Sequence, residues 1–250
     1  MSPTEHRERP PALTRERLLD SAERHFSEHG FAGASLREIT NDAEANLAAV
    51  SYHFGSKEEL FVAVIERVMA PINRERLELL DAAEERAAGR PLELEELIAI
   101  LVGPVLRSHA AEGGAGCSLR LFARGQFEDA SMWKRIAEGP LKVIKPRLEA
   151  ALARSLPHLS AQEIAYRMHF MMGAVKSAAG DQHALRAMSR GLCDPDDIEG
   201  TLAQLVAFLA AGMRAPSLAA RPTSGPPSGR SSARSSGRSA RRADSKEKPK

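Results

Sequence analysis

The sequence predicts an all-α protein in which a three-helix helix-turn-helix unit precedes a larger helical domain. Apolar residues recur at intervals of three and four, as in Leu18, Ala22 and Phe26 or Leu60, Val64 and Val68, and few stretches alternate with period two. Helix starts are marked by S-x-x-E pairs, in which a hydroxyl and a carboxylate reciprocally satisfy amides left over at a helix N-terminus. These are Ser35 with Glu38, Ser56 with Glu59 and Ser160 with Glu163. Two short helical patterns follow a longer one near the start of the chain, the spacing of a helix-turn-helix behind a supporting helix.

Residues 14–30 read as the supporting helix, with Gly30 as its exit and Phe31 supplying the apolar contact of a Schellman motif. Ser35 to Ala43 forms a second helix, Glu44 and Ala45 the turn, and Asn46 to about Phe54 a third helix for which Asn46 is a good N-cap. Val50 and Phe54 give that helix one apolar stripe toward the support. Leu47, Ala48, Ala49, Ser51, Tyr52 and His53 fall on its remaining surface. Small residues at the helix start suit close approach to a major groove about 12 Å wide, although periodicity alone equally allows a packed helical cap. Gly55 ends the third helix and Ser56 starts a long fourth. Leu97 to Leu106 is too apolar all round for a surface helix, and Pro104 within it frees a backbone carbonyl. Ser160 to Ala179 and Asp194 to Met213 close the helical part; Gly191 is a turn, and Asp194 caps a helix whose first residue is Pro195.

Composition bounds the remaining possibilities. Hydrophobic residues make up 43%, charged residues 27% and aromatic residues 4% of the 250. Two cysteines, Cys117 and Cys193, with no CxxC, exclude a disulfide framework and a Cys-based zinc module. The first residues carry no apolar run of a signal peptide, and the longest apolar stretch is half of the roughly 20 residues that span a bilayer. A soluble cytoplasmic protein without membrane contact is the expectation. The net charge of +2 hides a division: residues 216–250 hold nine Lys or Arg against two acidic residues, with nine Ser and five Pro, so the body is acidic. That tail cannot bury enough apolar surface to order itself and reads as disordered.

The run FAGASLREITNDAEANLAAVSYHFGSKEELFVAVIERV, and NLAAVSYHFGSKEEL above all, resembles the N-terminal DNA-binding domain of the TetR family of bacterial transcriptional regulators over residues 13 to 68. The resemblance implies a DNA-binding helix-turn-helix domain at 13–55 after a flexible arm at 1–12. It implies also a ligand-binding and dimerisation domain at 56–215, ahead of the basic tail at 216–250. By position, Arg37, Leu47, Ala49 and Ser51 would face base edges, with Asn46 and Ala48 beside them. Tyr52, His53 and Lys57 match positions that hold phosphates. Glu44 stands where the family has its turn glycine, and Ser51 replaces a frequent tyrosine. Residues 1–70 carry eight Lys or Arg against twelve acidic residues, an unusual balance for a partner of double-stranded operator DNA. The tail is either an accessory of salt-sensitive attraction or a solubilising extension.

Later segments, YRMHFMMGAVKSAAGDQHALRAM and FLAAGMRA, resemble the PsrA-type members, which respond to long-chain fatty acids or their derivatives. The residues fit a small apolar or amphipathic effector: Leu101, Phe122, Met132, Trp133, Met168, Met171 and Met172 are large or adaptable, and His169, Arg120 or Arg124 could receive a polar head. Plain core packing is the alternative for each. The resemblance makes the last two helices the seam of a homodimer, and small residues such as Gly173, Ala174, Ala207 and Ala211 permit close approach there.

No catalytic constellation, metal site or cofactor emerges. His25 and His29 lack a third ligand, and the Gly113 to Gly116 run has no strand before it. The expectation is a non-enzymatic regulator, the alternative a helical ligand-binding or interaction protein whose first domain does not read DNA.

Overall fold

The computed structural model describes residues 11–111, 130–180 and 182–218. The chain divides between Ser217 and Leu218 into two units, and all the helices named below belong to the first. Among the described residues the regular structure is entirely helical, and no helix is long and apolar enough to cross a membrane. Residues 219–250 of the tail expected to be disordered, residues 1–10 of the expected arm, Cys117, Arg120, Phe122, Arg124 and the Gly113 to Gly116 loop lie outside the described residues.

The first helix, α1 (Pro11–Gly33), starts three residues before its expected position, where a proline's missing N–H and preset φ are no handicap. At Gly30 φ is 71°, so the regular helix breaks where the sequence placed its exit. Next come α2 (Leu36–Asp42) and α3 (Leu47–His53), both packed on α1. The 31-residue α4 (Lys57–Ala87) packs its first half on α1 and continues into the second domain. The N-terminal core is built from Leu18, Ala22 and Phe26 of α1, Ile39 of α2, Val50 of α3, and Leu60, Phe61 and Val64 of α4, all buried. The ring of Phe61 meets Phe26 edge-on at 5.0 Å and Phe31 at 5.2 Å, which locks the first turns of α4 onto α1.

The second domain comprises the rest of α4 with α5 (Leu94–Ala111), α6 (Ala130–Glu138), α7 (Ile144–Ser155), α8 (Ala161–Gly180), α9 (Gln182–Met188) and α10 (Ile198–Arg214). The expectation for Leu97 to Leu106 holds: Leu97, Ile98, Ile100, Leu101, Val102, Val105 and Leu106 are all buried, and α5 packs on α4, α7, α8 and α10. Arginines tie the outer layer on: Arg147 of α7 pairs with Asp81 (2.6 Å) and Glu84 (2.5 Å), and Arg107 of α5 with Glu199 of α10 (2.8 Å).

The three S-x-x-E pairs behave differently. Ser160 and Glu163 make the reciprocal capping box, each accepting from the other's amide, at 3.2 and 3.0 Å. Ser56 accepts from the Glu59 amide at 3.1 Å. The Ser35 side chain caps nothing, a correction to the sequence reading. A second correction concerns the last helix, which starts at Ile198 rather than Pro195. Asp197 is its cap, accepting from the Gly200 amide at 2.9 Å, while Asp194 accepts from the Asp196 amide in the preceding turn.

Candidate nucleic-acid interface and effector cavity

Two features of the unit combine chemistry with accessibility, and α4 runs from one to the other. The first is α3. Asn46 caps it, its side-chain oxygen accepting from the Ala49 amide at 2.9 Å. Val50 is buried and Phe54 half-buried against α1, which turns the opposite side of α3 outward. There Leu47 is 46% and Tyr52 79% exposed, and Ala48 and Ser51 are exposed beside them. Ala49 and His53 are half-buried, His53 with its ring 4.9 Å from that of Tyr52. Seven residues make a helix about 10 Å long, short enough to lie within a major groove about 12 Å wide.

Arg37 is exposed on the second residue of α2. Lys57 opens α4, half-buried with its Nζ 4.8 Å above the Phe31 ring, and burial lowers its pKa from the usual lysine value. The turn between α2 and α3 works with glutamate in place of glycine because Glu44 itself takes the left-handed conformation, φ 46°. Amides of Ala43, Glu44 and Ala45 donate to the carbonyls of Ile39, Asn41 and Thr40, so the turn carries an ordinary set of C-terminal caps. Many carboxylates of the N-terminal region are ion-paired, some of them from outside the helix-turn-helix. Arg67 pairs with Asp20, Glu23 and Glu16, Arg24 with Asp42, Arg17 with Glu44, and Arg135 of α6 with Glu59. The Asp42 carboxyl lies below its usual pKa, chiefly because the Ser21 hydroxyl donates to it at 2.9 Å.

The second feature is an apolar cavity of about 200 Å³ between α4, α5, α6, α7 and α8. Of the residues singled out in the sequence, Leu101, Trp133, Met168, Met171 and Met172 line it. Met132 is buried in the core next to Trp133 without lining the cavity. His169 points elsewhere: it is exposed on α8, its ring 6.1 Å from that of the exposed Phe170.

Among the lining groups that escaped the sequence reading are Met69, Arg76, Lys145 and Lys176. Arg76 is 6% exposed; its Nε and Nη2 donate to the Leu101 carbonyl at 2.9 and 2.6 Å and its Nη1 to Asn73 Oδ1 at 3.0 Å. Asn73 in turn donates to the Pro140 carbonyl at 2.8 Å. These bonds hold α4 against the stretch of α5 that Pro104 leaves short of an amide. A signal was present, because Met69, Ile72, Asn73, Arg76, Leu80 and Ala83 follow helical spacing and place an arginine on the apolar stripe of α4.

This is an all-helical protein with an exposed, capped helix-turn-helix at one end and an apolar cavity inside the helical domain joined to it. Residues 18–64 match the family model described as bacterial regulatory proteins of the tetR family, and residues 99–212 the tetracyclin repressor-like C-terminal domain. The chain belongs to the TetR family of transcriptional regulators. Among curated proteins it is similar to the transcriptional repressor NicS of Pseudomonas putida, 37% identical over 89 residues, which are 35% of this chain and 40% of that protein. The repressor AcnR of Corynebacterium efficiens is 39% identical over 54 residues, 22% of this chain and 29% of its own length. The matches thus span two-fifths or less of these relatives. Among solved structures, the fatty acid degradation regulator FadR of Bacillus halodurans superposes with a TM-score of 0.53 at 16% identity, covering 79% of this chain and 98% of that one. FadR of Bacillus subtilis in complex with stearoyl-CoA does so with 0.53 at 15%, with the same coverage. At such identities the likeness is one of fold.

Proposed function

We propose that the protein is a dimeric, sequence-specific DNA-binding transcriptional repressor, released from its operator by a small apolar effector of the fatty-acid or acyl-CoA class. The observation that carries this reading is the continuity of α4, which begins at Lys57 beside the exposed face of α3 and forms a cavity wall with Met69, Ile72 and Arg76. In this reading Asn46, Leu47, Ala48, Ala49 and Ser51 enter the major groove with Arg37, while Tyr52, His53 and Lys57 hold phosphates. The effector class is supported by the methionine-rich lining and by the stearoyl-CoA held by FadR of Bacillus subtilis, a protein of like fold. The relatives NicS and AcnR carry names that point to no such ligand.

A dimer seam along α8 and α10 accounts for large apolar side chains left in the open, with Tyr166 58%, Phe170 66% and Phe208 71% exposed, interspersed with small residues. Effector binding then acts through two levers. It bears directly on α4, and it bears on α6 through Trp133, whose neighbour Arg135 grips Glu59 in the first turn of α4. Because half-sites lie about one helical turn of DNA apart, a tilt of α4 that alters the spacing of the two α3 helices weakens binding to both together. The domain boundaries at 55/56 and 215/216 and a cytoplasmic location accompany this reading. The test is retardation of a DNA fragment from upstream of the protein's own gene by the purified chain, with release on adding fatty acid or acyl-CoA. A chain that retards that fragment no better than unrelated DNA would refute the operator reading.

A further inference from the structure

The cavity has a charge problem as well as an apolar lining. Among the described residues that line it, every charged one is a cation, namely Arg76, Lys145 and Lys176, and no Asp or Glu joins them. Lys145 is matched by Glu149 at 2.6 Å. Arg76 forms no ion pair among the described residues, Glu75 acting on it only through space: the Leu101 carbonyl and the Asn73 amide oxygen that receive its bonds are both neutral. A neutral donor would serve to cap a carbonyl, whereas a guanidinium adds a full charge whose burial is unfavourable without a counter-ion. Burial lowers its pKa to about 10, so it remains a cation at neutral pH. The bonds above occupy three of its five N–H donors, leaving two for a ligand. Lys176, also on the lining, has its Nζ 6.0 Å from the Trp133 ring and no ion pair among the described residues.

We infer that the cavity takes an apolar molecule ending in a free carboxylate, with the carboxylate paired to Arg76, Lys176 as a second cation, and the apolar part among Met69, Met168, Met171 and Met172. This rests on the reading of the cavity as the effector site and narrows it. A carboxylate matches the fork of the remaining guanidinium donors and brings a negative charge to a site with two unpaired cations among its described lining residues. The same argument decides between a free acid and its CoA thioester. A thioester is neutral at the chain end, and the phosphates that carry the charge of CoA sit on a nucleotide far too large to reach a nine-tenths-buried arginine in about 200 Å³.

The full chain carries its own reporter, because its single tryptophan is Trp133. Fluorescence titrations with decanoate, decanamide and decanoyl-CoA test the inference. Decanoate is expected to bind, with decanamide and decanoyl-CoA roughly tenfold or more weaker, the scale of a lost charge-assisted hydrogen bond. Arg76→Met should bring decanoate and decanamide within about twofold of each other and Arg76→Lys should keep most of the preference, with far-UV circular dichroism checking the helix content of both. If Arg76→Met does not fold, Lys176→Met serves instead: it should weaken decanoate about threefold or more and leave decanamide unchanged. Decanamide or decanoyl-CoA binding as tightly as decanoate overturns the carboxylate, and a full preference surviving in folded Arg76→Met overturns Arg76 as its anchor. Absence of binding by all three overturns the effector reading of the cavity itself, and the carboxylate with it.

Discussion

Replacing Glu44 by glycine tests whether the turn ahead of α3 is strained. Its φ of 46° places a β-carbon in the left-handed region, which costs an L-residue about 1–2 kcal/mol. Glycine removes that cost but loses about 0.5–1 kcal/mol through the freedom it gives the unfolded chain. Substitution also breaks the Arg17–Glu44 pair, whose carboxylate side chain is 63% exposed, so that loss is at most about 1 kcal/mol. Glu44→Gly against the parent therefore sums terms of opposite sign, and the informative comparison is with Glu44→Ala. Both variants lose the ion pair, and only alanine keeps the β-carbon. Glycine should be more stable than alanine by about 0.5–1 kcal/mol, the reverse of the order at an ordinary helical position. For a chain of this size that is a midpoint about 1–4 °C higher. Thermal and urea unfolding at one protein concentration, as the proposed dimer requires, would measure it. Alanine equal to or more stable than glycine would refute the strain argument and with it the account of how glutamate replaces the turn glycine.

Other outcomes follow from single contacts. Ser56→Ala should destabilise by about 1 kcal/mol in urea unfolding, and Ser35→Ala by only a few tenths, since only the first hydroxyl caps a helix. Phe61→Ala removes a fully buried ring in contact with Phe26 and Phe31; it should cost about 3–5 kcal/mol and lower the midpoint of any probe placed in the N-terminal domain. Asp42, Glu95 and Glu199 have pKa values below the usual 3.8 and 4.5, through bonds from Ser21, Arg214 and Arg107 respectively. A folded state that binds fewer protons than the unfolded one is favoured above the unfolded pKa and loses that advantage as pH falls through the folded one. The urea midpoint should thus be flat from neutral pH toward the upper carboxylate values and fall below them. Added salt should reduce the Glu95 and Glu199 share, because their partners are exposed arginines. A midpoint that rises on acidification would contradict the assignment.

Much of the architecture was legible because it is local. The exit of α1 at Gly30, the Asn46 cap and the all-round apolar Leu97 to Leu106 depend on residues within a few positions of each other. Caps were less secure: Ser35, Ser56 and Ser160 carry the same motif, yet the hydroxyls of Ser56 and Ser160 cap their helices and that of Ser35 does not. An N-cap bond needs a particular backbone and rotamer, and the packing of the preceding turn determines both.

What the sequence by itself determined is the helices of the helix-turn-helix, the buried Leu97 to Leu106 segment, the two long helices near the end and the outward face of α3, because a 3.6-residue period states which side of a helix is apolar whatever that side meets. It also held the arginine on the apolar stripe of α4, but spacing cannot distinguish a buried cation from one that snorkels to water. Tertiary structure decided that Arg76 ends at the Leu101 carbonyl on the rim of a cavity, that His169 faces outward, and that Arg67 and Arg135 neutralise acids of the N-terminal domain. Those contacts join residues separated by 25 to 76 positions, and a side chain's partner at that distance depends on how whole helices pack.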